Sequence, residues 1–366
     1  VGRIAVQDLR QTASSVGRIY AVNTVGNVIG ALLPGLVLLA WLGIQKGILA
    51  MAILNAVVGL AMLLSRPLRG TRRAWAVPAA VVLLVLALGQ APLAFQFPTE
   101  NQHSWDRVLF YREGPSATTK VLIDPDTRLK SMSVDGITIG GNGFTDYKQQ
   151  LLAHLPKLFV DDVSRELSVG LGSAILVGES ARHSRVREIV CLEIEPSVAA
   201  GAAYFALESH DVLEDPRLRI VVDDVANHLR TTGDTYNVIS ADEKTAEDYA
   251  SNGFSFSREY YDLLGSRLAP GGMVFQWVPT SLPPAQFAMV LRTFTASFPH
   301  VIVWYSPPAL LDGPSNTILI GSNDEIRPDH ERARRAFESD PAAFEGIARY
   351  GLTTAESVLA PIVARG

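Results

Sequence analysis

The stretch V-G-L-G-S-A at 169–174 decides the fold of the soluble part of this chain. It closes a strand-like run, and its two glycines, Gly170 and Gly172, allow a tight turn and the close approach of a ligand to the backbone. Two glycines alone are weak evidence, because many turns contain such a pair. The neighbouring residues are therefore needed to identify this stretch as a binding loop.

Acidic residues follow the next three strand-like runs. Glu193 ends the run about 20 residues beyond the loop, a position where an acidic side chain accepts hydrogen bonds from ribose hydroxyls. Asp224 and Asp242 follow the third and fourth runs. The carboxyl ends of parallel strands meet at one crevice, so we expect these three side chains to converge there. Each of them alone could instead be a helix N-cap or a turn residue.

The charge of this crevice indicates the class of its ligand. Carboxylates would repel the pyrophosphate of a dinucleotide but stabilise the positive charge of an adenosyl sulfonium, so we favour a sulfonium nucleotide over NAD. The formal net charge of −5 argues against nucleic acid as a partner, since that needs clustered Lys and Arg. The single cysteine, Cys191, excludes an intrachain disulfide. The seven histidines show no metal-ligand spacing, so we expect no metal.

Strand-like and helical runs alternate from Tyr147 onward, which indicates βαβ units and a parallel sheet. We predict an α/β protein whose Rossmann-like, methyltransferase-type parallel sheet covers 147–325 and has an antiparallel edge. Asp-Gly and Asn-Gly turns between short alternating runs predict a small β-strand subdomain at 98–146. The region 326–366 is predicted to be a charged helical tail.

The region 1–97 is predicted to contain about three transmembrane helices. The apolar stretches 19–42, 47–64 and 74–95 each approach the ~20 residues that cross the hydrocarbon core. We therefore expect a multi-pass protein of the cell (inner) membrane, with the lipid bilayer as a partner. The first residues are typical of the middle of a longer membrane protein, so we expect a fragment of a larger helical bundle. Buried core helices are the alternative.

The arginines around these stretches give a conflict over orientation. Arginines precede the first stretch and separate the second from the third, so the positive-inside rule places both segments in the cytoplasm. Three spans would then leave the soluble domain outside. Adenosyl sulfonium nucleotides are made inside cells, and for that reason we favour a cytoplasmic domain.

Six motifs between Tyr111 and Tyr305 resemble the spermidine synthase family, and the first apolar stretch is similar to its membrane-fused branch. The motifs are Y-R-E-G-P-S-A-T from Tyr111, Q-L-L-A-H-L-P at 150–156, V-G-L-G-S-A at 169–174, L-E-I-E-P-S-V at 192–198, D-P-R-L-R-I-V-V-D-D at 215–224 and the run from S-R-E-Y-Y to Q-W at 257–277.

This resemblance implies an activity and a set of site residues. Members of the family move an aminopropyl group from decarboxylated S-adenosylmethionine to an amine and release methylthioadenosine, with no metal. The residues that the resemblance assigns are Gly170, Gly172 and Ser173 in the nucleotide loop, Glu193 at the ribose, Asp224 at the adenine amino group and Asp242 as the base that deprotonates the attacking amine.

The chain departs from the family mainly on the side that receives the amine. The aspartate expected three positions after the base is Thr245, and a Tyr-His-Glu motif is replaced by some register of Y-K-Q-Q at 147–150. Lys244, two residues from Asp242, would repel a simple diamine. We therefore expect an acceptor amine that also carries an anion, paired to Lys244 or Lys148. The candidate substrate residues are Tyr147, Gln149, Lys244, Tyr249 and Asn252.

Other interpretations stay open. The chain could be a methyltransferase that uses S-adenosylmethionine, or a non-catalytic membrane-bound nucleotide sensor or scaffold, although we favour the enzyme. A homodimer is possible by analogy with soluble members. Trp277 and Trp304 lie on strand-like runs and are interpreted as core residues.

Overall fold

The computed structural model of the chain describes residues 12–33, 39–64, 102–114, 116–143, 145–243, 254–306 and 315–365. The chain divides into two compact units, of which the first comprises Val1–Phe97 with Glu113–Pro115 and the second Pro98–Arg112 with Ser116–Gly366. The candidate site residues of the described segments lie in the second unit.

Two helices of the first unit contain the apolar stretches near the start of the chain. They are α1 (Thr12–Leu33) and α2 (Leu39–Leu64), and α2 is interrupted at Gly43, whose φ of +72° is not helical. Within the described residues, one segment, Val16–Leu33, is long and apolar enough to cross a membrane.

The described part of the chain therefore holds one candidate span where the sequence predicted about three. The apolar part of α2, Lys46–Gly59, is shorter than a membrane span requires. The predicted span at 74–95 lies outside the described residues. A signal sequence or a core helix satisfies the same criteria of length and composition as Val16–Leu33. The predicted multi-pass region is not confirmed.

A small sheet follows, with the strand order β1-β2-β3-β4. Its strands are β1 (Arg107–Glu113), β2 (Thr118–Ile123), β3 (Lys130–Val134) and β4 (Ile137–Gly141). β2, β3 and β4 are antiparallel neighbours. Asp135 and Gly136 form the turn between β3 and β4, and both have positive φ (+47° and +89°). The Asp-Gly pair thus makes the two-residue hairpin turn that such pairs favour.

The larger sheet has the strand order β12-β10-β11-β9-β8-β5-β6-β7 among the described residues. Its strands are β5 (Arg165–Val169), β6 (Glu188–Glu193), β7 (Leu218–Val222), β8 (Tyr236–Ala241), β9 (Leu268–Val278), β10 (His300–Ser306), β11 (Asn316–Ser322) and β12 (Ile362–Arg365).

The strands from β5 to β9 are parallel neighbours, and β11, β10 and β12 continue the sheet antiparallel. The predicted Rossmann-like sheet with an antiparallel edge is therefore confirmed. β5 lies between β6 and β8, so the chain leaves β5 on one side and later returns on the other. The carboxyl end of β5 is thus the topological switch point, where open α/β sheets bind their ligands.

Helices cover both faces of this sheet. They are α3 (Asp146–His154), α4 (Pro156–Phe159), α5 (Ile175–Ala181), α6 (Pro196–Ala202), α7 (Val225–Thr231), α8 (Arg258–Gly265), α9 (Pro284–Ser297), α10 (His330–Ser339), α11 (Glu345–Ala348) and α12 (Ala355–Leu359). The adjacent residues Val274 and Phe275 of β9 belong to different hydrophobic clusters, because successive side chains of a strand point to opposite faces.

The segment predicted to be a charged tail is part of the second unit. β12 pairs with β10 and adds an antiparallel strand at the edge of the sheet. Trp304 is fully buried, as predicted, and its indole Nε1 donates to the Val358 carbonyl at 2.7 Å. Ala333 and Ala336 bury one face of α10, so the charges of that helix occupy its other face.

Candidate functional site

The loop after β5 has the backbone conformation that its glycines predict. Gly170 and Gly172 have φ values of +90° and +51°, and Ala174, which precedes α5, has a φ of +60°. The loop is closely approached by the small sheet, because a Cβ added to Gly140 at the end of β4 would lie 2.9 Å from the Ser173 nitrogen. Glycine is therefore favoured at 170 and 172 by the backbone conformation and at 140 by the close approach of the loop.

Ser173 and Gln149 stabilise this loop through buried side-chain hydrogen bonds. Ser173 is fully buried, and its Oγ donates to Gln149 Oε1 at 2.7 Å. The side-chain Nε2 of Gln149 donates to the backbone carbonyls of Gly141 and Thr145, both at 3.1 Å. Ser173 was predicted to bind the nucleotide and Gln149 the substrate. In the structure both side chains belong to a buried hydrogen-bonded link between the loop, β4 and α3.

Glu193 ends β6 and is joined to the glycine loop. Its Oε2 accepts the Leu171 amide at 3.1 Å and its Oε1 accepts the Glu195 amide at 2.9 Å. The side chain is largely buried, and that burial raises the pKa of Glu193, although the backbone amides act in the opposite direction. A carboxylate that bridges two turns in this way defines the spacing between the ends of β5 and β6.

Asp224 follows β7 and caps α7. Its Oδ1 accepts the amides of Ala226 at 2.9 Å and Asn227 at 3.1 Å, which satisfies two of the free amides at a helix start. The N-cap alternative considered for this residue is therefore present in the structure. It places the carboxylate at the carboxyl end of β7, in line with the strand ends that carry Glu193 and Asp242.

Asp242 follows β8 and forms an ion pair that the sequence did not reveal. Its amide bonds to the Val169 carbonyl at 3.4 Å, which keeps it beside the end of β5. Lys148 of α3 brings its Nζ to 2.5 Å from Asp242 Oδ1, and the two side chains are 5% and 14% exposed. The same Nζ lies 4.4 Å from the ring centroid of Trp277, a cation–π contact. Among the described residues, the cation nearest the Asp242 carboxylate is therefore the Lys148 ammonium.

Trp277 packs partly buried against the hydrophobic core, as predicted, and also lines the site. Its Nε1 donates to Asn316 Oδ1 at 3.0 Å, and it lines a pocket together with Lys148. Trp277 had a sequence signal, since the Q-W pair ends one of the family motifs, but alternating hydrophobicity alone favoured burial. Lys148 was predicted to pair with an anion of the acceptor, but the open register of Y-K-Q-Q gave no signal for its ion pair with Asp242.

Tyr147 is directed away from Asp242. Its hydroxyl pairs with Ser306 Oγ at 3.1 Å, and its ring lies against Tyr350 with 4.2 Å between centroids. Burial raises the pKa of Tyr147 to about 12. The predicted substrate residues Lys244, Tyr249 and Asn252 lie outside the described residues, as does Thr245.

A pocket of about 690 Å³ lies between the small sheet, the start of α3 and the ends of β9 and β11. Its lining includes Lys148, Trp277 and Asn316, together with His103, Asp106 and Asp124 from the edge of the small sheet. Glu193 and Asp224 are not among its lining residues. Lys148 lines the pocket and pairs with Asp242, so it connects the pocket to the end of β8.

The fold and these strand ends define the class of Rossmann-like, methyltransferase-type domains. The segment 145–307 matches the family model described as Spermine/spermidine synthase domain. Among curated relatives, polyamine aminopropyltransferases 2 and 1 of Streptomyces coelicolor are 30% and 29% identical over 310 and 306 residues. These alignments cover 81% and 79% of this chain and 54% and 56% of the relatives. The segment 145–307 is thus identified as a domain of the spermidine synthase family, and the chain spans about half the length of the curated relatives it matches.

Solved structures agree on the fold. The spermidine synthase of Thermotoga maritima aligns with a TM-score of 0.57 at 19% identity, covering 70% of this chain and 84% of that chain. A spermidine synthase in complex with the transition state analogue AdoDATO aligns with the same values. At this level of identity the likeness concerns the fold.

Proposed function

We propose that this protein transfers an aminopropyl group from decarboxylated S-adenosylmethionine to an amine, with Asp242 as the base. The observation that carries the proposal is the position of Asp242, which lies beside the glycine loop through its bond to Val169 and also faces a pocket residue, Lys148. The relatives named polyamine aminopropyltransferase support the same reaction. A relative of the same fold was solved with a transition state analogue, which is consistent with it.

The reaction needs a base and no acid. The neutral amine nitrogen attacks the aminopropyl carbon bonded to sulfur, and the carbon–sulfur bond breaks with its electron pair going to sulfur. The sulfonium becomes the neutral thioether of methylthioadenosine, and the proton of the attacking amine passes to the Asp242 carboxylate. The positive charge of the sulfonium makes it a sufficient leaving group.

The nucleotide would lie along the carboxyl ends of β5, β6 and β7. Both Glu193 oxygens accept backbone amides, and a remaining lone pair would accept a ribose hydroxyl. The Oδ1 of Asp224 is used by the helix cap, and its Oδ2 would accept the adenine amino group. Gly170 and Gly172 would let the backbone approach the nucleoside.

The acceptor would bind in the pocket at the place now taken by Lys148. Its nitrogen has to reach Asp242 and therefore has to displace the lysine ammonium from that carboxylate. Lys148 would then lose its partner while it stays partly buried, which is costly for an ammonium. An acceptor that carries an anion near its nitrogen would compensate this charge, and we propose an acceptor of that kind.

A metabolite sensor is the second candidate, because the Lys148–Asp242 pair closes the position of the base.

The full chain is incubated with decarboxylated S-adenosylmethionine and a panel of amines, and methylthioadenosine is measured. Asp242→Asn is expected to lower its formation by about 10²- to 10⁴-fold while methylthioadenosine binding persists. The matched control is Asp262→Asn, an exposed aspartate of α8 that pairs with Arg258.

Three outcomes separate the candidates. Loss of product in Asp242→Asn alone supports aminopropyl transfer. Absence of product from every amine in the unaltered protein, with nucleotide binding intact, supports the sensor. Formation of S-adenosylhomocysteine from S-adenosylmethionine would show a methyltransferase instead. Attachment to the inner membrane through Val16–Leu33 belongs to the proposal, and recovery of the full chain in the soluble fraction would contradict it.

A further inference from the structure

Three side chains from separate parts of the small-sheet region converge beside the pocket. The ligand atoms of His103, Asp106 and Asp124 all lie within 4.8 Å of one another. His103 and Asp106 are brought together by a tight turn before β1, in which the Asp106 amide bonds to the His103 carbonyl at 3.2 Å. Asp124 is the first residue after β2. All three line the pocket that also holds Lys148.

Hydrogen bonds hold the Asp124 carboxylate in a defined orientation. Its Oδ1 accepts the amides of Asp126 at 2.8 Å and Thr127 at 3.1 Å, and the indole of Trp105 donates to its Oδ2 at 3.4 Å. Donors of this kind orient carboxylate ligands before an ion arrives.

Asp106 has a side-chain oxygen that no described residue satisfies. Its Oδ2 accepts the His103 amide at 2.7 Å, whereas Oδ1 is buried and has no hydrogen-bond partner within the described residues. The Asp106 side chain is 7% exposed. A buried carboxylate oxygen without a donor is unfavourable by an amount comparable to a lost charged hydrogen bond. Such an atom beside a pocket indicates a cation that it meets there.

We propose that His103, Asp106 and Asp124 form a binding site for a divalent first-row metal ion. One imidazole nitrogen and two carboxylates are donors that such ions accept, and two carboxylates balance a double positive charge. Three protein ligands leave further coordination positions open, and all three residues line the pocket. The distance of 3.7 Å between His103 Nδ1 and Asp106 Oδ2 is compatible with two ligands of one ion.

The test measures metal binding in the full chain and does not depend on aminopropyl transfer. The protein is freed of metal with a chelator and titrated with Mn²⁺, followed by electron paramagnetic resonance, and with Zn²⁺ against a chromophoric chelator. We expect one ion per chain. Asp106→Asn should weaken its affinity by on the order of 100-fold. The matched control, Asp126→Asn, removes the same charge from the same turn as Asp124 but leaves the three ligands in place, and should bind as the unaltered protein does.

Two results would overturn the metal site. The first is the absence of saturable binding of either ion, or equal affinity in Asp106→Asn and the unaltered protein. The second is binding of 1,4-diaminobutane that depends on Asp106 when Mn²⁺ and Zn²⁺ do not bind, which would assign the cluster to an organic ammonium group. Melting temperatures of Asp106→Asn and Asp126→Asn identify a variant that has failed to fold, and Asp124→Asn then replaces Asp106→Asn.

Discussion

The two halves of the candidate site are built in different ways. In the nucleotide half, the carboxylates of Glu193 and Asp224 accept backbone amides of turns and helix starts that directly follow the strands. In the acceptor half, Asp242 meets a side chain from another element, Lys148 of α3. The first half depends on backbone geometry that many sequences can form. The second depends on the identity of individual side chains, so it is the half in which a family can change its acceptor.

Substitution of Glu193 should have the largest effect among tests of this contrast. Glu193→Ala removes the acceptor of the Leu171 and Glu195 amides. Because two hydrogen bonds to a charged group are lost, we expect methylthioadenosine to bind about 100-fold more weakly. Calorimetry measures the affinity. Glu188→Ala, at the start of the same strand and paired with Arg165, is the control. Equal affinities in the two variants would show that the nucleotide half does not depend on this carboxylate.

Substitution of Lys148 addresses the acceptor half. Lys148→Met removes the tethered ammonium from Asp242, and we expect the affinity for 1,4-diaminobutane to rise about tenfold while methylthioadenosine binds unchanged, because the diamine no longer competes with the lysine. Calorimetry with both ligands measures this. The control Lys130→Met also removes a lysine of the pocket lining, but one whose ammonium pairs with Glu208. Weaker diamine binding in Lys148→Met would show that Lys148 assists the acceptor.

Glu243, the neighbour of Asp242 in the chain, gives the smallest expected effect, which is a change of stability with pH. Burial raises the pKa of Glu243 from its ordinary value of 4.5 to about 8, with the Tyr260 hydroxyl donating to its Oε1. A raised folded-state pKa stabilises the fold below pH 4.5, and this contribution is lost as the pH rises through 8. We expect the melting temperature of the unaltered protein to fall by a few degrees relative to Glu243→Gln between pH 5 and 9. A constant difference would show that Glu243 is ionised throughout.

Local patterns predicted the parts of the site that backbone geometry creates. The glycines at 170 and 172 predicted a tight turn, and both residues have positive φ. Asp135-Gly136 predicted a hairpin turn, which forms. These predictions hold because few residue types adopt such conformations without strain. Of the predicted membrane spans, one described segment, Val16–Leu33, is long and apolar enough to cross a membrane, and the stretch 74–95 lies outside the described residues.

The amino-acid sequence by itself determined the α/β class, the parallel sheet with its antiparallel edge and the strand ends at which Glu193, Asp224 and Asp242 lie. It could do so because periodicity and turn residues act over a few positions. Only the tertiary structure decided that Lys148 neutralises Asp242, that Trp277 faces the pocket and that His103 meets two aspartates. Those contacts join residues far apart in the chain, and no local pattern specifies which of many lysines, tryptophans or histidines the fold will bring together.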